Sequence, residues 1–286
     1  MAFARRDDTV RRPDAPVLIV HLEGWVDAGV AGATAMAAVL ESGPTELVAT
    51  FDGDSLVDYR DRRPVVRIAE GINEGLTWRE PKLLLGADRS GRDVLLLIGP
   101  EPDFHWRAFC AEVAGIAVEL GATLMVGLGA FPAAVPHTRQ VRLACTATDP
   151  ALAARVGYIG GTIDVPAGCE AALELAMSEA GVPAAGLWAR VPHYVAALPY
   201  PFASAALLNG LGEVAGLQFD TAPLVNAGEV AVQRVDQLIA NSAEHQAMVR
   251  KLEHTVDEAE GTPLGDLPTG DEIAAELERF LRGQGH

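Results

Sequence analysis

Val17-Leu18-Ile19-Val20-His21-Leu22 is a continuous apolar run rich in β-branched residues, the pattern of a strand buried on both faces. Gly24 ends it, and Asp27 is placed to cap a helix reaching about Leu40. That helix is built of small residues (Ala28, Gly29, Ala31, Gly32, Ala33, Ala35, Ala37, Ala38), which let it lie close against a sheet or another subunit. Strand patterns recur at 46–51, 65–69, 83–85 and 94–98, with Ser90-Gly91 as the turn of a hairpin. A helix over about 104–120 places Phe109, Val113, Ile116 and Leu120 on one face. Strands at 123–128, 140–146 and 186–191 alternate with helices at about 167–180 and 201–215. Strands alternating with helices predict an α/β fold in three αβα layers, with a mixed, mostly parallel sheet. Ligand sites in such folds lie in loops at the carboxyl ends of strands.

From residue 222 the texture changes. A helix of about 30 residues carries two heptad-spaced rows, Val235/Ser242/Val249/Val256 and Leu238/His245/Leu252, with polar breaks in the middle. Packing on the parent domain is the simpler reading, and a self-association seam the alternative. A Gly/Pro linker (Gly261 to Gly270) and a short helix at 271–282 follow. The organisation expected is a solvated tail at 1–15, an α/β core at 16–221 and a helical C-terminal appendage at 222–286.

Composition narrows the function classes. The 39 acidic residues outnumber 22 basic ones, a formal charge of −17 that disfavours nucleic-acid and anionic-membrane partners. The N-terminus lacks the apolar core of a signal peptide and no stretch has the length of a membrane span, so a cytoplasmic protein is expected. Cys110, Cys145 and Cys169 are far apart with no C-x-x-C, which speaks against a disulfide framework or a zinc site. Cys110 and Cys169 read as small buried thiols.

No motif certifies a catalytic residue. Gly24-Trp25-Val26-Asp27-Ala28-Gly29 is a Gly-rich strand-to-helix turn where α/β proteins bind phosphates, but it lacks the Gly-Lys-Ser/Thr of a P-loop. Gly210-Leu211-Gly212-Glu213-Val214-Ala215 fits a dinucleotide string but follows a helix pattern, so it is read as chance. Two tripeptides recur, Val135-Pro136-His137 and Val191-Pro192-His193, extended by Thr138, Arg139 and Tyr194. A His with an Arg two residues on could bind an anion or move a proton. The same groups could instead fasten loop backbones. Glu101, Asp103 and His105 are read as a rigid turn, with Asp103 capping the next helix, rather than as metal ligands. No metal or cofactor is called for.

These segments together resemble the PAC2 family, named for proteasome assembly chaperone 2, and its actinobacterial branch in particular. The resemblance rests on Gly24-Trp25-Val26-Asp27-Ala28-Gly29, Asp58-Tyr59-Arg60-Asp61-Arg62-Arg63-Pro64 and Gly99-Pro100-Glu101-Pro102. It continues through Val135-Pro136-His137-Thr138-Arg139, Leu187 to Val195, and Leu267-Pro268-Thr269-Gly270-Asp271-Glu272. It implies a phosphorylase/hydrolase-like core, a homo-oligomer with three chains, and a non-enzymatic assembly or scaffold role, with a proteasome-related protein as partner. The alternative is an enzyme or a nucleoside- or anion-binding protein on a purine-nucleoside-phosphorylase-like core. Relatives that dock on proteasome α rings use a C-terminal hydrophobic-Tyr-X tail, and this sequence ends Gly283-Gln284-Gly285-His286 instead. The candidate binding positions are therefore Gly24, Trp25, Asp27, Glu101, His137, Thr138, Arg139, His193 and Tyr194.

Overall fold

The computed structural model describes residues 3–7, 9–158 and 160–261. Among the described residues ten strands occur in chain order: β1 (Ala4–Arg6), β2 (Val17–Glu23), β3 (Glu46–Phe51), β4 (Val65–Ala69), β5 (Ile72–Thr77), β6 (Lys82–Ala87), β7 (Asp93–Pro100), β8 (Leu124–Ala133), β9 (Leu143–Ala147) and β10 (Ala184–Pro192). The helices are α1 (Ala31–Glu41), α2 (Gly53–Leu56), α3 (Trp106–Glu119), α4 (Pro150–Val156), α5 (Cys169–Glu179), α6 (Pro201–Ala215), α7 (Ala222–Ala240) and α8 (Ala243–Gly261). Eight strands form one mixed sheet in the order β1-β3-β6-β7-β2-β8-β10-β9. The central four, β7, β2, β8 and β10, are parallel to their neighbours within the group, and the outer strands pair antiparallel.

Alternation along the strands divides the core into two layers. Val17 and Ile19 of β2 face α1 and α6, whereas Leu18, Val20 and Leu22 face α3 and α5. Each such buried aliphatic side chain contributes roughly 1.5–3 kcal/mol. The small residues of α1 are consumed inside the fold. A Cβ on Gly32 would stand 2.6 Å from the Leu128 carbonyl and 2.7 Å from the His21 ring. The helix lies too close to the sheet for any larger residue there, so its composition says nothing about a neighbouring subunit.

Three expectations are corrected. Where a solvated tail was expected at 1–15, Ala4–Arg6 adds a strand to β3 and Phe3 is buried. Glu112 accepts the Phe3 and Ala4 amides at 2.7 and 3.0 Å, Arg6 pairs with Glu119, and Arg11 with Asp93. The basic run is thus matched against acids of α3 and β7. The single long helix is two, broken at Asn241 and Ser242, and the Ser242 hydroxyl accepts the His245 amide at 3.3 Å. The polar break in the heptad row is a helix cap. Val235 and Val249 are buried, whereas Leu238 is exposed. Finally, Asp103 caps no helix. It accepts from the Asp58 amide (2.7 Å) and pairs with Arg62 (2.9 Å), while His105, with φ 61°, precedes α3. The linker after Gly261 and the helix expected at 271–282 lie outside the described residues.

Candidate functional site

β2 pairs with β8 only from Val17↔Leu124 to Val20↔Gly127. Beyond that point β2 stays with β7 as far as Glu23↔Pro100, and β8 with β10 as far as Ala133↔Pro192. The two strands splay, and a crevice opens at their carboxyl ends beside the switch in strand order, where open α/β sheets bind ligands. Splaying frees backbone groups that must find partners. From the α5 side, the Glu170 carboxylate accepts the Leu22 amide at 2.8 Å. From the α1 side, His21 Nδ1 donates to the Leu128 carbonyl at 2.9 Å. The crevice is filled by the chain's own side chains.

The helix N-termini above it are also occupied. Asp27 accepts the Gly32 and Ala33 amides at 2.8 and 3.0 Å, at the start of α1. Glu101, buried, reaches from the end of β7 to accept the Cys169 amide at the start of α5. These are the positions where a phosphate would be held by backbone N–H groups and the helix dipole. In this chain each holds an internal carboxylate. Gly24 is required where it stands: its φ is 130°, and a Cβ would meet the Arg62 guanidinium at 2.5 Å. Arg62 in turn donates to the Glu101 carbonyl. Trp25, 43% exposed, lies over Gly168, where a Cβ would come within 2.8 Å of the indole. Gly24, Trp25, Asp27 and Glu101 therefore lie together at one end of the sheet, a juxtaposition the sequence reading did not make.

Beneath this cap is a pair of acids that sequence reasoning passed over. Glu170 and Glu174, one turn apart on α5, face a floor of strand glycines. A Cβ on Gly127 would meet Glu170 at 2.9 Å, and one on Gly186 would meet Glu174 at 2.6 Å. Burial pushes the Glu170 carboxyl well above the usual range, against the Leu22 amide and with the help of Glu174. Burial also lifts Glu174 to about 7, opposed by a hydrogen bond from Thr146. Cys110 and Cys169, 59 positions apart, bring their sulfurs within 3.7 Å as free thiols. The hydrogen bond with the Cys110 thiol and desolvation by burial push Cys169 up, away from reactive thiolate. The one signal in the sequence was Glu170 and Glu174, two acids four residues apart among the apolar residues of α5.

The second group of candidates lies in the β8–β9 and β10–α6 loops, and these also meet. The Tyr194 hydroxyl is 2.6 Å from His137 Nδ1 and accepts the His137 amide at 2.8 Å. His137 Nε2 is 2.9 Å from Asp236 of α7, and the His137 ring is buried. Thr138 bonds Glu253 of α8, and Arg139 makes a two-point pair with Asp257 at 2.8 and 2.7 Å. His193 stacks edge-on against Tyr194 with its Nδ1 3.4 Å from the Ala133 carbonyl. The polar atoms of His137 and Arg139 thus hold the C-terminal helical hairpin. Burial raises the Tyr194 phenol to about 12, so it stays a neutral donor. Among the described residues no group of three His, Cys, Asp or Glu is arranged to hold a metal, and no helix is long and apolar enough to cross a membrane.

The model of the PAC2 family matches residues 21–239. A solved Mycobacterium tuberculosis protein of unknown function is 32% identical, covers 100% of this chain and 97% of its own, and superposes with a TM-score of 0.85. A Mycobacterium tuberculosis proteasome-assembly chaperone homologue is 32% identical over 82% of this chain and 99% of its own (TM-score 0.76). A PAC2 family protein of Streptomyces avermitilis is 35% identical over 82% and 99% (TM-score 0.73). No curated protein matches the sequence. With the family model spanning both candidate loops and the splayed crevice, the chain belongs to the PAC2 family and stands among its actinobacterial members.

Proposed function

We propose that the protein is a non-enzymatic, cytoplasmic assembly protein that works as a homo-oligomer of three chains on a proteasome-related partner. One observation carries the non-enzymatic part. Both helix N-termini over the splayed crevice, the natural anion sites of the fold, are occupied by Asp27 and Glu101. A phosphate would have to displace a carboxylate and sit beside Glu170 and Glu174 as well. The 32% identical proteasome-assembly chaperone homologue supports the choice of partner.

The test is reconstitution. Purified chain is added to separated proteasome α and β subunits, and assembly is followed by native mass spectrometry. The reading expects a complex with free subunits or half-assembled particles and a changed rate of maturation. Identical time courses with and without the chain, and no complex, would overturn the choice of partner.

A second reading, a small-molecule binder, draws on the buried acids Glu170 and Glu174 that lie over the strand glycines. A carboxylic acid kept neutral by burial can donate a hydrogen bond to a ligand carbonyl or ring nitrogen. Equilibrium dialysis against purine nucleosides separates the two readings.

A further inference from the structure

Along β10, Gly186, Trp188 and Arg190 share the sheet face that carries α5, because Gly186 lies under Glu174 of that helix. Their register partners complete the surface. Gly129 stands beside Trp188 and Phe131 beside Arg190 on β8, and Ala144 beside Trp188 on β9. Glu170, the second residue of α5, already lies over Gly127, at the level of Gly186. The helix therefore starts there, and the two strands run on past it. Trp188, Arg190 and Phe131 sit on this extension and are only partly buried.

Nothing in the chain answers the charge of Arg190. Its amide donates to the Arg142 carbonyl at 3.1 Å, so the register places Arg142 opposite it on the chain leading into β9. Like charges directly opposite in a sheet are destabilising. Arg190 Nε is sealed from water and bonds nothing, and the terminal nitrogens make no hydrogen bond or ion pair with any described residue. Glu174 is no counterion, since it faces Gly186 four residues earlier, about 13 Å down the strand. Burial first, and the Arg142 charge second, hold the guanidinium below its ordinary value. The chain has 39 acidic residues and 22 basic ones, so an arginine that faces another arginine in place of an acid runs against its composition. Local costs of this kind gather at functional sites.

We infer that Arg190 anchors a binding site for a carboxylate attached to a flat apolar group. The terminal nitrogens of a guanidinium offer a planar fork that matches the two carboxylate oxygens. Trp188 along the strand and Phe131 across it supply the flat apolar surface. The indole lies over Gly129, where a Cβ would come within 2.5 Å of the ring, and its Nε1 donates to Thr146 at 3.2 Å. Both contacts fix the ring beside the arginine. An acidic protein repels small free anions, so one arginine holds an anion only with apolar contact next to it. The site is separate from the occupied helix N-termini and from Glu170 and Glu174, and it does not depend on a proteasome-related partner. The carboxylate has two sources, a free aromatic acid or the C-terminus of a peptide that ends in an aromatic residue.

The test titrates phenylacetate and N-acetyl-glycyl-phenylalanine into the full chain by ligand-observed NMR, each beside its uncharged amide. The better acid should bind with a Kd on the order of 1 mM, as its size allows. Its amide should bind about tenfold more weakly or worse. A tighter free acid assigns the site to a small molecule, and a tighter peptide assigns it to a partner's C-terminus. Arg190→Met keeps the length of the side chain and removes its charge, so the acid should then bind no better than the amide. The melting temperature of this variant should hold or rise, because the unpaired donor and the facing like charge go together. Equal binding of acid and amide, binding unchanged in Arg190→Met, or no binding of either acid at tens of millimolar would overturn the inference. A fall in melting temperature would overturn it too, by showing that the arginine holds the fold. So would absent binding with a lower oligomer mass for Arg190→Met in light scattering, the sign that a second copy of the chain supplies the carboxylate.

Discussion

The Tyr194 hydroxyl touches His137 twice, 2.6 Å from Nδ1 and 2.8 Å from the backbone amide, and so ties the two Val-Pro-His loops together. His137 passes the tie on to Asp236 at 2.9 Å, and through it to the C-terminal hairpin. The recurrence of the tripeptide was legible in the sequence. The tie was not, because it depends on β8 and β10 lying side by side in the sheet.

Replacing Tyr194 by Phe leaves a buried His137 amide and ring nitrogen without their partner. The expected cost is about 1–3 kcal/mol of stability, read from urea unfolding. Hydrogen exchange should quicken in α7 and α8 more than in the sheet. A variant with unchanged stability that loses binding of an anion or nucleoside would make the loop a ligand site instead.

Arg139→Ala should cost far less. Arg139 and Asp257 are 37% and 50% exposed, and ion pairs so open to water contribute little even with two-point geometry. Raising salt to molar levels should erase most of the difference between variant and wild type. A loss of several kcal/mol would show that the helical hairpin depends on this ion pair.

Much of the fold was readable from the pattern alone. Buried strands such as Val17–Glu23 are continuous apolar runs bounded by Gly or Asp, and their helices follow at regular intervals. Three kinds of feature escaped. Phe3 and the arginines after it read as a tail because their partners, Glu112, Glu119 and Asp93, are about a hundred positions away. Ser242 read as a polar break rather than a cap. Gly127 and Gly186 lack any local signal, since their need for glycine comes from Glu170 and Glu174 on a helix packed against them.

The glycine floor gives a coupling prediction. Gly186→Ala forces a methyl toward Glu174, Thr146 and the Trp188 indole, and overpacking of this kind costs about 1–3 kcal/mol. Adding Glu174→Ala removes one of the crowded groups, so the double variant should be more stable than the sum of the two single losses predicts. Strict additivity in thermal unfolding would contradict the contact.

Glu174 also sets a pH dependence. Its carboxyl titrates at about 7 in the fold against 4.5 in the unfolded chain, so between those values the folded state holds the extra proton. Stability must then fall as pH rises through this window, by about 3 kcal/mol. Glu170, also raised, continues the decline to higher pH. On the acid side the sign is opposite. Arg11 holds Asp93 below its ordinary value, and hydrogen bonds from Ser90 and the Arg92 and Gln218 amides do so at Asp88 despite its burial. That stability is present above pH 4 or so and is lost as pH falls further. Melting temperature should therefore peak in mildly acidic buffer, and Glu174→Gln should flatten the fall between pH 5 and 7. A profile that rises steadily to pH 8 in both proteins would refute the burial of these acids.

The measurement closest to the central claim is isothermal titration of inorganic phosphate and a purine nucleoside, together and separately, into the intact protein. Asp27 and Glu101 already occupy the helix N-termini where an anion would bind, so no heat of binding should appear at millimolar ligand. Saturable binding in the micromolar range, altered by Asp27→Asn or Glu101→Gln, would show that the carboxylates give way to a ligand and that the crevice is a working site.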